Sequence, residues 1–130
     1  MIKKLLLIDD DPDELELLLD VIDKLQVSCT CTWASSAEEG LKLLELAKPD
    51  LILLDINMPR QNGWECLDVL KKQMVVATIP VVMYSNGIDQ GLVFKAKSLG
   101  AADAVAKNFQ QEELLNVLNR ILGLNGKEKK

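Results

Sequence analysis

The chain contains no histidine. That excludes a Ser-His or Cys-His nucleophile, and any phosphohistidine in its chemistry must come from another protein. Aromatic residues make up only 4% of the 130, so aliphatic side chains must fill the core. Cations are outnumbered, 15 Lys and Arg against 20 Asp and Glu, for a net charge of −5. This balance argues against a domain whose main task is holding nucleic acid or an anionic membrane. No apolar run approaches the roughly 20 residues of a membrane-spanning helix. Met1-Ile2-Lys3-Lys4 leads into only four apolar residues, too few for a signal peptide. A cytoplasmic location is the expectation these absences leave. Of the three cysteines, Cys29 and Cys31 fall two apart on a predicted strand, sharing a face but poorly spaced for a bridge. Without histidine or a second cysteine pair, buried thiols are preferred to a Cys-x-Cys metal site.

What is present is a set of apolar runs that end in polar residues. Leu51-Ile52-Leu53-Leu54 runs into Asp55, and Met58-Pro59 follows. Such a run, bounded by turn signals, predicts a strand buried on both faces with Asp55 at its carboxyl end. Leu5-Leu6-Leu7-Ile8 likewise runs into Asp9-Asp10-Asp11-Pro12. Pro12 opens a helix whose apolar face is predicted to be Leu15, Leu18, Leu19, Ile22 and Leu25, with Asp13, Glu14, Glu16, Asp20 and Asp23 solvated. A second strand is predicted over Val27 to Trp33, and then a helix capped by Ser35 or Ser36, with Ala37, Leu41 and Leu44 as its buried stripe and its end near Ala47-Lys48-Pro49. Further units follow: a helix from Trp64 to Met74, a strand from Ile79 to Tyr84, a soft helix from Ile88 to Leu99 stopped by Gly100, a strand from Ala101 to Ala106, and a helix from Phe109 to Leu122. Residues 1–123 form one domain in this reading, and 124–130 a polar tail. Trp33, Trp64 and Cys66 are assigned to packing or surface.

Strand and helix thus alternate five times, which predicts an α/β (βα)5 fold, a three-layer sandwich around a parallel five-stranded sheet with right-handed crossovers. The flavodoxin-like strand order 2-1-3-4-5 makes the first and third strands neighbours at the topological switch point. Asp9, Asp10 and Asp55 then converge at one edge, with Ser85 and Lys107 beyond Asp55. Grouped carboxylates are unfavourable without a cation, and hard oxygen ligands suit Mg²⁺.

Asp9-Asp10, Asp55-Ile56-Asn57-Met58-Pro59, Ser85 and Lys107, each at the end of a successive core strand, resemble the receiver domain of two-component response regulators. The resemblance covers nearly the whole chain. It implies a phosphoacceptor, Asp55, fed by a sensor histidine kinase or a histidine phosphotransfer protein. It implies Mg²⁺ on Asp10, Asp55 and the backbone carbonyl of Asn57, with Asp9 acting through ordered water. Lys107 is expected to pair with Asp55 at rest and with a phosphoryl oxygen afterwards. The Ser85 hydroxyl and the Asn86 backbone N–H are expected to meet other phosphoryl oxygens. Gly87, two past Ser85, is expected to leave the site open to water, so measurable autodephosphorylation is expected.

Two positions depart from the family pattern. Ala104 stands where receivers carry a switch aromatic, and Tyr84 cannot replace it because adjacent strand residues point to opposite faces. Asn108 follows the lysine where receivers have proline in a cis peptide; a cis bond before Asn would cost ~3 kcal/mol, so trans is expected. The leading reading is a stand-alone receiver, not an enzyme on other substrates. It would signal through an unknown protein target and act as a monomer or as a dimer through the fourth helix, fifth strand and fifth helix. The alternative is a receiver-fold binding module without a working switch. A Mg²⁺-dependent phosphohydrolase is a third reading, weakened because Asn57 stands where a second carboxylate would be needed.

Overall fold

The computed structural model describes residues 3–26, 28–58, 60, 62–73, 77–107 and 111–123. The elements are β1 (Lys3–Ile8), α1 (Pro12–Leu25), β2 (Cys29–Ala34), α2 (Ala37–Leu46), β3 (Leu51–Asp55), α3 (Gly63–Lys72), β4 (Val81–Ser85), α4 (Gln90–Ser98), β5 (Asp103–Ala106) and α5 (Gln111–Leu122). All strand pairs are parallel, in the order β2-β1-β3-β4-β5. This is the predicted flavodoxin-like topology. Met74, Asn108, Phe109 and the 124–130 tail lie outside the described residues, and with them the expectation about the peptide at Asn108.

Every residue of β3 is buried, and Leu51 to Leu54 are 0% exposed. Alternation splits them between two cores. Ile52 and Leu54 join Leu6, Ile8, Cys66, Leu67, Leu70, Met83 and Ala104 on the side of α2, α3 and α4. Leu51 and Leu53 join Leu5, Leu7, Leu18, Val82, Tyr84, Val105 and Leu118 on the side of α1 and α5. Burying one such aliphatic side chain is worth about 1.5–3 kcal/mol, and aliphatics make up most of both cores.

Side chains close the helix starts. Asp11 accepts from the Asp13 N–H at 2.9 Å, with Pro12 opening α1. Ser36, rather than Ser35, caps α2 by accepting from the Glu39 N–H at 3.1 Å. Asn62 and Glu65 form a reciprocal capping box at α3. Gly100, at φ 104°, ends the turn after α4 in a conformation that suits glycine.

The solvated face expected of α1 needs correcting. Glu14 is buried, only 8% exposed, whereas Leu19 is 44% exposed. Positions 14, 18, 21 and 22 follow the i, i+4, i+7, i+8 rule, and Leu18, Val21 and Ile22 are all buried. Glu14 therefore lies on the inward stripe despite its charge, and Leu19 falls off it. The Leu25 side chain lies outside those described. Strand boundaries also shift: β2 runs to Ala34 and β4 to Ser85, each one residue past its predicted end.

Candidate functional site

The carboxyl ends of β1, β3, β4 and β5 build one corner. Asp9 is 0% and Asp55 1% exposed, while Asp10 faces solvent. One carboxylate oxygen from each of the three lies within 4.8 Å of the others. The backbone sets this placement. Asp9 donates its N–H to the Ala34 carbonyl at 3.0 Å, and its own carbonyl accepts the Trp33 indole N–H at 2.8 Å. Trp33, assigned to packing or surface, therefore also ties β2 to the acidic corner. The Asp9 Oδ1 accepts the Asp11 N–H at 2.9 Å, and the Asp55 Oδ1 accepts the Asn57 N–H at 3.1 Å.

The loop after Asp55 doubles back sharply. The Gly63 N–H reaches the Ile56 carbonyl at 2.7 Å, and a Cβ at Gly63 would stand 2.3 Å from the Asp55 carbonyl oxygen. Only glycine permits this approach of α3 to the end of β3. Within the loop Arg60 adopts φ 72°, a left-handed conformation that no glycine or asparagine at that position signalled.

Lys107 enters from the end of β5, its backbone N–H held by the Ser85 carbonyl at 2.6 Å. Its Nζ stands 2.8 Å from Asp9 Oδ2 and 3.2 Å from Asp55 Oδ1. The expected Lys107–Asp55 pair is present, but the shorter contact is to Asp9, for which a mainly water-mediated role is expected. One ammonium thus serves two buried carboxylates. Burial pushes the Asp55 carboxyl up to about 6, the Asp9 charge adds to the rise, and Lys107 opposes it. Burial also works against the Lys107 ammonium, but Asp9 and Asp55 outweigh it and raise its pKa.

The remaining oxygen, Asp55 Oδ2, is buried with no hydrogen-bond partner among the described residues. An unpaired buried carboxylate oxygen beside two further carboxylates is the donor set a small hard cation takes, so these residues fit Mg²⁺. Ser85 is buried at the end of β4, opposite Ala106, and Asn86 and Gly87 follow it on the surface. A Cβ at Gly87 would meet nothing within 4 Å, so this side is open. Ala104 faces α4, in register with Met83, while Tyr84 faces α1 and α5. Beside Ala104 lies a cavity of about 360 Å³, lined in part by Ile88, Ala106, Asn116 and Val117. The cysteines lie outside this corner. Cys66 is buried and Cys29 and Cys31 half-buried, and burial raises all three thiols, Cys31 to about 12 and Cys66 to about 11.

Residues 5–119 match the family described as the response regulator receiver domain. The chain belongs to that family. The receiver domain is a signalling module. NarL of Escherichia coli, a nitrate/nitrite response regulator protein, is 36% identical over 116 residues, covering 89% of this chain and 53% of NarL. Protein PilH of Pseudomonas aeruginosa is 29% identical over 119 residues, covering 92% of this chain and 97% of PilH. The receiver domain of NtrX from Brucella abortus superposes with a TM-score of 0.80 at 29% identity, covering 92% of this chain and 98% of that one. This chain spans about half the length of the first curated relatives it matches. Among the described residues of this receiver, no helix is long and apolar enough to cross a membrane.

Proposed function

We propose that this receiver accepts a phosphoryl group on Asp55 from the phosphohistidine of a sensor kinase or phosphotransfer protein. The observation that carries this reading is the Asp55 carboxylate. It is buried at a strand end, ion-paired to Lys107 through Oδ1 and left with a free Oδ2 beside Asp9 and Asp10. The Asp55 carboxylate attacks phosphorus as the donor's P–N bond breaks, and the bonding electron pair leaves with the imidazole nitrogen. Phosphoryl transfer of this kind depends on alignment and charge neutralisation more than on covalent help. Asp10, Asp55 and the Asn57 backbone carbonyl would hold Mg²⁺, with Asp9 acting through ordered water, and the bound ion would supply part of that neutralisation. Lys107 supplies the rest from within the chain, and the Ser85 hydroxyl and Asn86 N–H are the donors for the other phosphoryl oxygens. Water entering past Gly87 later cleaves the acyl phosphate, so the chain catalyses only its own phosphorylation and dephosphorylation.

The output is a changed affinity for a protein partner across α4, β5 and α5, where a second copy could also dock. Phe94 on α4 is 75% exposed and supports a protein-facing role for this side. Readout cannot use the usual aromatic, because Ala104 occupies its place.

Intact mass after incubation with acetyl phosphate and Mg²⁺ tests the proposal on the wild type and on Asp55→Ala. One added phosphoryl group in the wild type alone, lost on chelation, is the expected result. Equal labelling of Asp55→Ala would overturn the assignment. A partner that binds equally well with and without the modification would favour the unswitched binding module.

A further inference from the structure

Glu14 and Tyr84 are two buried polar side chains that the phosphoacceptor reading leaves without a role. The Tyr84 hydroxyl donates to Glu14 Oε1 at 2.9 Å, joining β4 to α1 across 70 positions of sequence. Tyr84 is 1% exposed. Its neighbour in the sheet is Asp55, and its carbonyl accepts the Ile56 N–H at 3.0 Å. The Lys107 Nζ lies 5.7 Å from the centroid of the Tyr84 ring, within reach of a cation–π attraction.

A bare core would place an aliphatic residue at each position, and burying a carboxylate without a purpose is unfavourable. The geometry gives the pair a purpose. The Lys107 stem is long and flexible, and its ammonium must bridge Asp9 and Asp55 rather than collapse onto one of them. The Tyr84 ring lies on the α1–α5 side of the sheet, and its hydroxyl anchor to Glu14 restrains the ring from turning away from the ammonium. Burial holds the Glu14 carboxyl above its ordinary value, with Asp9 and Asp11 adding to the rise and the Tyr84 hydrogen bond and the Lys107 charge opposing it.

We propose that Tyr84 and Glu14 are positioning residues for Lys107: α1, through Glu14, fixes the Tyr84 ring, and the ring fixes where the ammonium stands over Asp55 and Asp9. The proposal rests on the phosphoacceptor reading only for its kinetic consequence. The placement of Lys107 can be read in the unmodified protein.

The test uses ¹⁵N-lysine-labelled protein. The Lys107 ammonium resonance is identified by its loss in Lys107→Ala. Tyr84→Phe deletes only the hydroxyl, and Glu14→Leu breaks the same bond from the helix side, which covers the failure of either variant to fold. Both should shift this resonance and speed its exchange with water. Glu14→Gln, whose amide oxygen can still accept from the phenol, should restore it. With acetyl phosphate and Mg²⁺, labelling of Tyr84→Phe should slow on the order of tenfold, as expected for a displaced charge at a transfer site. In a Lys107→Ala background the same substitution should have no further effect, because the hydroxyl acts through the lysine. An absent or unmoved Lys107 resonance, or equal slowing in the Lys107→Ala background, would overturn the proposal. If the wild type takes no phosphoryl group but the resonance responds, the phosphoacceptor reading fails and the positioning role stands.

Discussion

Removing the charge of Asp55 should stabilise the protein in the absence of divalent cation. Asp9 and Asp55 are both buried, Asp10 is beside them, and among the described residues Lys107 is the cation that bridges the buried pair. The Asp55 carboxyl rises from 3.8 to about 6, first through burial and then through the Asp9 charge. Its native pKa therefore exceeds its unfolded one, and the native state holds the proton more tightly. Stability tied to this group is complete below about pH 4 and is lost as pH rises through about 6. At about 1.4 kcal/mol per pH unit, the ionised group opposes folding by about 3 kcal/mol at pH 7.5. Asp55→Asn is nearly isosteric, and its amide oxygen can still accept from the Asn57 N–H. In chelator at pH 7.5 it should melt roughly 5–10 °C above the wild type. The gap should close as pH is lowered towards 4, where the wild-type carboxyl is itself neutral. Mg²⁺ should raise the wild type and leave Asp55→Asn nearly unmoved, because a cation bound to the native site stabilises it by mass action. Thermal melts followed by circular dichroism measure all three effects. A lower melting temperature for Asp55→Asn in chelator would refute the reasoning, since it would mean that the Lys107 pair outweighs burial and like-charge repulsion.

Two further substitutions test how the scaffold sets the site. Gly63→Ala would force a methyl group against the Asp55 carbonyl and the Ile56 Cα, both backbone atoms, so urea denaturation should show a loss of about 3 kcal/mol and phosphoryl labelling should fall with it. Asn62→Ala removes half of the α3 capping box and should lower stability by about 1 kcal/mol in the same assay, whereas Asn62→Asp should stay near the wild type.

Much of this site could be read in the sequence because its parts are punctuation marks. Asp55 closes an unbroken apolar run, and Asp9 and Asp10 close another, so their convergence follows once the strands are ordered. Glu14 was misread for the opposite reason. Its charge suggested solvent, although its spacing to Leu18, Val21 and Ile22 put it on the inward stripe, and periodicity should have outweighed polarity there. Its partner Tyr84 is 70 positions away, a distance no local pattern spans. Trp33 carries no local sign that its indole would meet the Asp9 carbonyl. The left-handed backbone at Arg60 is imposed by the return of the chain to Ile56, not by residue preference. The choice Lys107 makes between Asp9 and Asp55 is a matter of ångströms, set by three-dimensional packing.

The pairing of Lys107 with Asp9 also bears on the order in which the chain can fold. These residues lie 98 positions apart (107 − 9), one just past β1 and the other just past the edge strand β5. Until β5 docks, any intermediate that already pairs β1 with β3 gathers the acidic side chains without their counter-ion. Such an intermediate is locally frustrated, and the closing contact is highly non-local, which slows folding. Divalent cations present during folding would offset the same charges in any such intermediate. The edge strand β5 thus delivers the counter-ion of the acidic corner as well as bordering the sheet.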